Sequence, residues 1–378
     1  MAKKDLKTIL NKKVKYYSLD AILKYNAVYN MIIGERSNGK TFSVLEYIIK
    51  DYVKNGKQGA IVRRWEMDIR GRRASTVFDG IVAAGVIARE TSGKWDRVYY
   101  NAGRWYLAKY DEKLQQTIHE ERPLAFAFAL SQTEHDKSTS YPDINTILFD
   151  EFLTRQIYLQ DEFVLFMNTV STIVRHRDDV KIFMCANTVN KSAPYFSEMG
   201  LKHIKNQKQG TIEIYTYGDS GLSVAVEYCS NVNKEGKPSD KYFAFDNPKL
   251  QMITGGAWEM ALYPHLTRDM RYKPQDILHT FFIIWEDDII QGEIIDLDGD
   301  RFIYFHRKTT DIKHDEEDHI YCVEVMPGYN YNQYIQVTRN KTEKWIWKLI
   351  VENKVFYQDN ETGEIIRNYI NWCKSSRM

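Results

Sequence analysis

The chain has 378 residues, 43% of them hydrophobic, which is ample for packed cores and suggests two domains. A net charge of +1 does not by itself mark a nucleic-acid binder, although local basic clusters remain compatible with one. No apolar run reaches the ~18 residues of a membrane span, and the lysine-rich start lacks a signal peptide's apolar region. Cys185, Cys229, Cys322 and Cys373 lack the spacing of a zinc site or disulfide framework, so a reducing cytoplasm is expected.

Residues 1–26 read as a basic, tyrosine-containing lead-in, an arm or short amphipathic helix. Ala27 to Ile33 is a short apolar run suited to a buried strand. Gly34-Glu35-Arg36-Ser37-Asn38-Gly39-Lys40-Thr41 then fits G-x-x-x-x-G-K-[ST] at every fixed position. Phe42, Leu45, Ile48, Ile49 and Tyr52 follow at helical spacing, and Gly56 offers a stop. A strand before and a helix after are the context in which this motif is a phosphate-binding loop. Its glycines let backbone N–H groups turn toward an anion. Lys40 is expected at the β- and γ-phosphates, and Thr41 at a bound Mg²⁺.

A second core strand, Gly59 to Val62, ends in Arg63-Arg64. These arginines are candidates for stacking on adenine or bracing phosphates, unless they form an ordinary solvated strand end. Arg70, Arg72 and Arg73 form a compact basic cluster that suits DNA phosphates or a solvated turn, and an apolar helix is predicted around Val77 to Val86. Arg97 to Tyr110 alternates around Asn101-Ala102-Gly103 as a hairpin. Leu124 to Leu130 reads as a central strand feeding the polar segment around Lys137.

Ile147-Leu148-Phe149 leads into Asp150 and Glu151. About 110 residues after a phosphate loop, such a pair predicts a magnesium-holding carboxylate, Asp150, opposite Thr41, with Glu151 as the general base for the attacking water. The second carboxylate, together with the lack of N-K-x-D, favours ATP hydrolysis for mechanical work over a small-molecule kinase or a GTP switch. Phe163 to Val174 is an apolar helix ending in Arg175-His176-Arg177. These cations either complement a helix C-terminus or include an arginine finger for a neighbouring subunit. Val180 to Ala186 is a further core strand. Asn187 at its tip is placed to sense the γ-phosphate, or else to close an Asx turn.

Taken together, GERSNGKT (34–41), IVRRW (61–65), HDKSTSYPDINTILFDEF (135–152), VRHRDDVKIFMCANTVN (174–190) and APYF (193–196) resemble the genome-packaging ATPases of small tailed phages of the phi-twenty-nine type. The resemblance covers residues 25 to 200. It implies an α/β fold: a P-loop ASCE ATPase domain with a central, mostly parallel sheet, plus a smaller α+β RNase-H-like domain. It also implies a ring, expected to be a homopentamer, that drives double-stranded DNA into a preformed procapsid at the expense of ATP and Mg²⁺. The motor would work in the host cytoplasm, docked transiently on the portal with or without a packaging RNA, and would need no membrane. By the same analogy Arg175 is the trans finger, Arg36 is the cis rival, and Lys137 senses a neighbour or the DNA.

The expected boundaries are 1–230 for the ATPase domain, 231–277 for a linker or lid, and 278–378 for the C-terminal domain. In the last, HTFFIIW, IIQGEII and RFIYF read as three strands, with Asp298-Gly299 as a hairpin turn. The first strand has no mid-strand acid, so this domain is expected not to cleave DNA. A helicase, a terminase with an active nuclease, and a nucleotide-gated scaffold that does not hydrolyse are the rival readings.

Overall fold

In a computed structural model, which describes residues 16–132, 139–189, 193–230, 263–267, 270–313 and 317–375, the chain divides into two compact units. One comprises residues 1–154 and 161–258, the other residues 155–160 and 259–378. Lys137 and most of the expected linker 231–277 lie outside the described residues.

The described part of the first unit is built on one sheet of ten strands. In chain order these are β1 (Tyr29–Gly34), β2 (Gln58–Arg63), β3 (Arg97–Asn101), β4 (Arg104–Asp111), β5 (Gln116–His119), β6 (Ala125–Ala129), β7 (Ile144–Asp150), β8 (Lys181–Asn187), β9 (Thr211–Thr216) and β10 (Ser223–Tyr228). Their spatial order is β3-β4-β6-β2-β7-β8-β1-β10-β9, with β5 paired to β4. The six strands from β6 to β10 in this order are mutually parallel. Antiparallel strands close both sides.

Strands β1, β7 and β8 are buried along almost their whole length, as expected where helices cover both faces of a parallel sheet. The fold is therefore mixed α/β, with a large, mostly parallel sheet. The helix Lys40–Asn55 lays Val44, Leu45, Ile48, Ile49 and Tyr52 on the sheet at helical spacing. It ends at Gly56, whose left-handed φ of 69° lets its N–H bond Tyr52 O.

The helix expected around Val77 to Val86 is not continuous. Short helices Asp79–Ala83 and Val86–Glu90 flank Gly85, which stands at φ 68°, so the apolar residues pack inward from separate turns. Helix Glu162–Val174 follows β7 and returns along the sheet before β8 begins.

The second unit carries β11 (Ile277–Trp285), β12 (Asp288–Leu297), β13 (Asp300–Arg307), β14 (His319–Cys322), β15 (Tyr331–Asn332) and β16 (Val355–Tyr357). The first three form an antiparallel meander. The β12–β13 turn has positive φ at both Asp298 and Gly299, the mirror-image geometry that tight hairpins favour. Strand β14 adds parallel to β11, β15 to β14, and β16 to β13 on the far side of the meander. Helices Lys341–Val351 and Asn360–Ser375 bring Ile346, Leu349, Ile365, Ile366 and Tyr369 into the core of this unit. Among the described residues, no helix is long and apolar enough to cross a membrane.

Candidate nucleotide site

The parallel register brings four strand ends to one edge of the sheet. Gly34 of β1 pairs with Asn187 of β8, and Asp150 of β7 pairs with Cys185 of the same strand. Arg63 ends β2, the other neighbour of β7. This carboxyl edge is where open α/β sheets place ligands.

Between β1 and its helix the loop turns through left-handed residues, Ser37 at φ 58° and Gly39 at φ 95°. Alternation of this kind aims successive N–H groups into one concavity. Gly39 needs its glycine for that φ. Gly34 needs its own for space, because a Cβ there would come within 2.8 Å of Cys229 Cβ at the end of β10.

Thr41 Oγ1 donates to Asp150 Oδ1 at 2.8 Å across 109 residues of sequence. Lys40 Nζ donates to the loop's own oxygens, Glu35 O at 2.6 Å, Asn38 Oδ1 at 3.2 Å and Gly34 O at 3.4 Å, and to Asn187 Oδ1 at 3.4 Å. Burial lowers the Lys40 pKa below the ordinary lysine value, and the Asp150 and Glu35 carboxylates oppose that shift. Burial likewise raises Asp150 above the usual carboxylate range, against the pull of Arg63 and the Thr41 hydroxyl. The pocket therefore holds an acid and a base that both lack solvation, and a polyphosphate with a divalent cation would relieve both.

Glu151 follows β7 in the left-handed region at φ 59°, with its N–H on Cys185 O at 2.8 Å and its side chain 65% exposed. Such a conformation is uncommon for a residue with a Cβ and is held here by the backbone bond. Arg63 spans the two carboxylates, 3.0 Å from Asp150 Oδ2 and 2.7 Å from Glu151 Oε2. The Asp150 carboxylate thus already faces a cation, and its oxygens together with the Thr41 hydroxyl fit a divalent metal. A cavity of about 250 Å³ is lined by Ser37 to Phe42, Asp150, Glu151, Ala186 and Asn187. Glu35 is buried and offers its carbonyl to Lys40, whereas Arg36 is exposed.

Arg64 is not brought to this cavity, so its expected role beside the nucleotide is corrected. Its guanidinium is buried against Glu162, with Nε at 2.6 Å and Nη2 at 2.8 Å from the two carboxylate oxygens, and it also donates to Phe152 O at 2.8 Å. Tyr195 Oη donates to the same carboxylate at 2.6 Å. This network ties the segment after β7 to two helices. Glu162→Ala strands a buried guanidinium, so it is expected to lower unfolding free energy by about 3–5 kcal/mol. Chemical denaturation measures that loss, and a change below about 1 kcal/mol would show the pair to be dispensable.

Two of the three arginines in the basic cluster already face carboxylates. Arg70 is 2.8 Å from Glu66 and Arg73 is 2.7 Å from Asp68, while Arg72 is exposed. Exposed pairs of this kind are weak enough to be exchanged for phosphate. Arg175 caps the helix Glu162–Val174 at φ 35° and is exposed. Arg177 is occupied, donating to Ile144 O at 2.6 Å, Ile173 O at 3.0 Å and Tyr141 O at 3.3 Å. In the second unit, no group of three His, Cys, Asp or Glu residues suited to a metal occurs among the described residues.

Residues 11–215 match the family of podovirus DNA encapsidation proteins (Gp16). The DNA packaging proteins of Bacillus phages PZA and phi29 are each 28% identical to this chain over 187 residues, 49% of this chain and 50% of theirs. The matched region thus spans about half the length of these relatives. Among solved structures, the Phi-28 gp11 DNA packaging motor superposes with a TM-score of 0.55 at 17% identity, covering 96% of this chain and 99% of that one. The protein in the bacteriophage Phi-29 genome packaging motor assembly gives 0.54 at 17% identity, covering 93% and 96%. These likenesses establish a shared fold. The family match covers more than half of the chain, including the loop, both carboxylates and Asn187, and the chain belongs to the podovirus DNA encapsidation protein (Gp16) family.

Proposed function

We propose that this chain is an ATP-driven double-stranded DNA translocase that packages a viral genome into a procapsid. It would work as a ring, expected to be a pentamer, in the host cytoplasm and transiently on the portal, with or without a packaging RNA. The observation that carries the reading is the convergence of Lys40, Thr41, Asp150, Glu151 and Asn187 on one cavity sized for phosphates.

In this reading the loop N–H groups of residues 37–41 bind the triphosphate. The Lys40 ammonium exchanges Glu35 O and Asn38 Oδ1 for β- and γ-phosphate oxygens. Thr41 and Asp150 would hold Mg²⁺, which would supply charge neutralisation at the phosphoryl group. Glu151 leaves Arg63, orients a water in line with the γ-phosphate and takes its proton at the carboxylate. Asn187 would contact the γ-phosphate from the tip of β8, and Arg63 would brace the phosphates once the carboxylates release it. Arg70, Arg72 and Arg73 are proposed as DNA-phosphate contacts, and the second unit is proposed not to cleave DNA.

The test is phosphate release by the purified chain with Mg²⁺ and ATP, with and without linear double-stranded DNA. Turnover stimulated by DNA, and lost in Lys40→Ala without loss of fold, is expected. No phosphate release under any of these conditions would refute the motor reading. The same reactions run with Mn²⁺ and closed circular plasmid should leave it uncut, and linear products would assign a nuclease to the second unit instead.

A further inference from the structure

The cavity between the loop and the carboxylates, about 250 Å³, is smaller than the ~300–1,000 Å³ typical of pockets that enclose a whole ligand. It has room for phosphates but not for a nucleoside as well. Its lining also fixes which way a nucleotide lies. Asp150, Glu151 and Asn187 on β7 and β8 define the end for the terminal phosphate, so the sugar and base must leave on the opposite side, toward β10.

Residues 16 and 17 cross the loop on that side, and they are fixed there. Tyr17 N–H donates to Asn38 O at 2.9 Å, Ser43 Oγ donates to Tyr17 O at 2.6 Å, and Tyr17 Oη donates to Glu227 Oε2 of β10 at 2.7 Å. Tyr17 itself is 8% exposed and belongs to the core. Tyr16, its neighbour, is turned outward with 63% of its surface exposed, and its Cβ lies 3.3 Å from where a Cβ on Gly39 would stand. A lone exposed tyrosine is unremarked on most surfaces. This one sits on the phosphate loop itself, on backbone anchored at the loop, the helix and a core strand. An exposed aromatic face carried next to the loop by a backbone that Tyr17 anchors is the kind of surface on which an unsolvated base stacks.

We infer that Tyr16 is the platform on which the base of the bound nucleoside triphosphate stacks, so that the segment preceding β1 supplies the base subsite. The inference rests on the phosphate-site reading proposed above and adds to it the face that recognises the rest of the ligand. Base–aromatic stacking tolerates any base, so the subsite contributes affinity more than discrimination.

Calorimetric titration of the full chain with Mg–ATP and, separately, with magnesium tripolyphosphate separates the two readings. Tyr16→Ala is expected to weaken ATP binding about ten-fold, to leave tripolyphosphate binding unchanged, and to leave the thermal midpoint unchanged. Tyr16→Phe, which keeps the ring, is expected to match the wild type for both ligands. Undiminished ATP affinity in Tyr16→Ala, or an equal loss for both ligands, overturns the stacking role while the phosphate site stands. Failure of the wild type to bind tripolyphosphate or ATP overturns the phosphate site, and the subsite with it.

Discussion

Glu151→Gln is expected to bind Mg–ATP as tightly as the wild type and to hydrolyse it about 10²–10⁴ times more slowly, the range general-base removal commands. The substitution keeps size and hydrogen-bonding capacity and deletes only basicity. Glu151 is suited to that test because its side chain is largely exposed, so its loss should leave the thermal midpoint nearly unchanged. Its backbone is held at φ 59° by the bond from its N–H to Cys185 O, which fixes where the carboxylate starts regardless of the side chain. The ion pair to Arg63 at 2.7 Å must open before the carboxylate can receive a proton from water. Single-turnover phosphate release with pre-bound nucleotide is the measurement. A variant that retains more than about a tenth of the wild-type rate would remove Glu151 from the role of base.

That residue is legible in the sequence because its signal is local. A phosphate loop depends on glycines at fixed positions, and an acidic pair after three apolar residues can be read as a strand tip. What joins them, the Thr41–Asp150 hydrogen bond across 109 residues, follows once both strands are placed in one parallel sheet. The two arginines after β2 were harder. Successive side chains of an extended chain face opposite ways, so Arg63 and Arg64 cannot both enter one site. Alternation alone could have separated them, but which of the two turned inward depended on Glu162, a carboxylate 98 residues away at the start of a helix.

Other misses are tertiary in origin. Apolar spacing suggested one helix through Val77 to Val86, yet Gly85 at positive φ interrupts it, and the spacing cannot see an interruption whose two sides both face the core. Tyr16 and Tyr17 lay in a basic lead-in without helical or strand period. Their roles, one buried against β10 and one exposed beside the loop, come from bonds to Asn38, Ser43 and Glu227 that no local pattern encodes. Residues 155–160 group with the second unit although they lie between β7 and its following helix, and Arg155 pairs there with Glu364. Nothing in the composition of that short stretch marks the excursion.

Arg175→Ala is expected to leave nucleotide binding intact and to cut turnover by about 10³–10⁵, the effect of removing an arginine finger. The geometry argues that such a finger acts on another copy. Helix Glu162–Val174 runs back along the sheet, and Arg177, two residues on from Arg175, bonds the carbonyl of Ile144, the first residue of β7. Asp150 is the last residue of that strand, which places the helix end about 20 Å from its own carboxylate pair at ~3.3 Å per residue. No arginine side chain spans that distance, so a finger role for Arg175 would require a site on another copy, as a head-to-tail ring would present.

Mixing decides the point. Arg175→Ala subunits combined with Glu151→Gln subunits, each inactive alone, would form some interfaces that unite an intact Glu151 from one copy with an intact Arg175 from the next, and turnover should partly return. The rival, Arg36, lies in the same loop as the phosphates it would touch. Arg36→Ala mixed with Glu151→Gln would therefore never assemble an intact site, and should stay silent if Arg36 acts in cis. Recovery in the second mixture but not the first would move the finger from Arg175 to Arg36 acting across an interface, and recovery in neither would exclude both arginines as trans fingers.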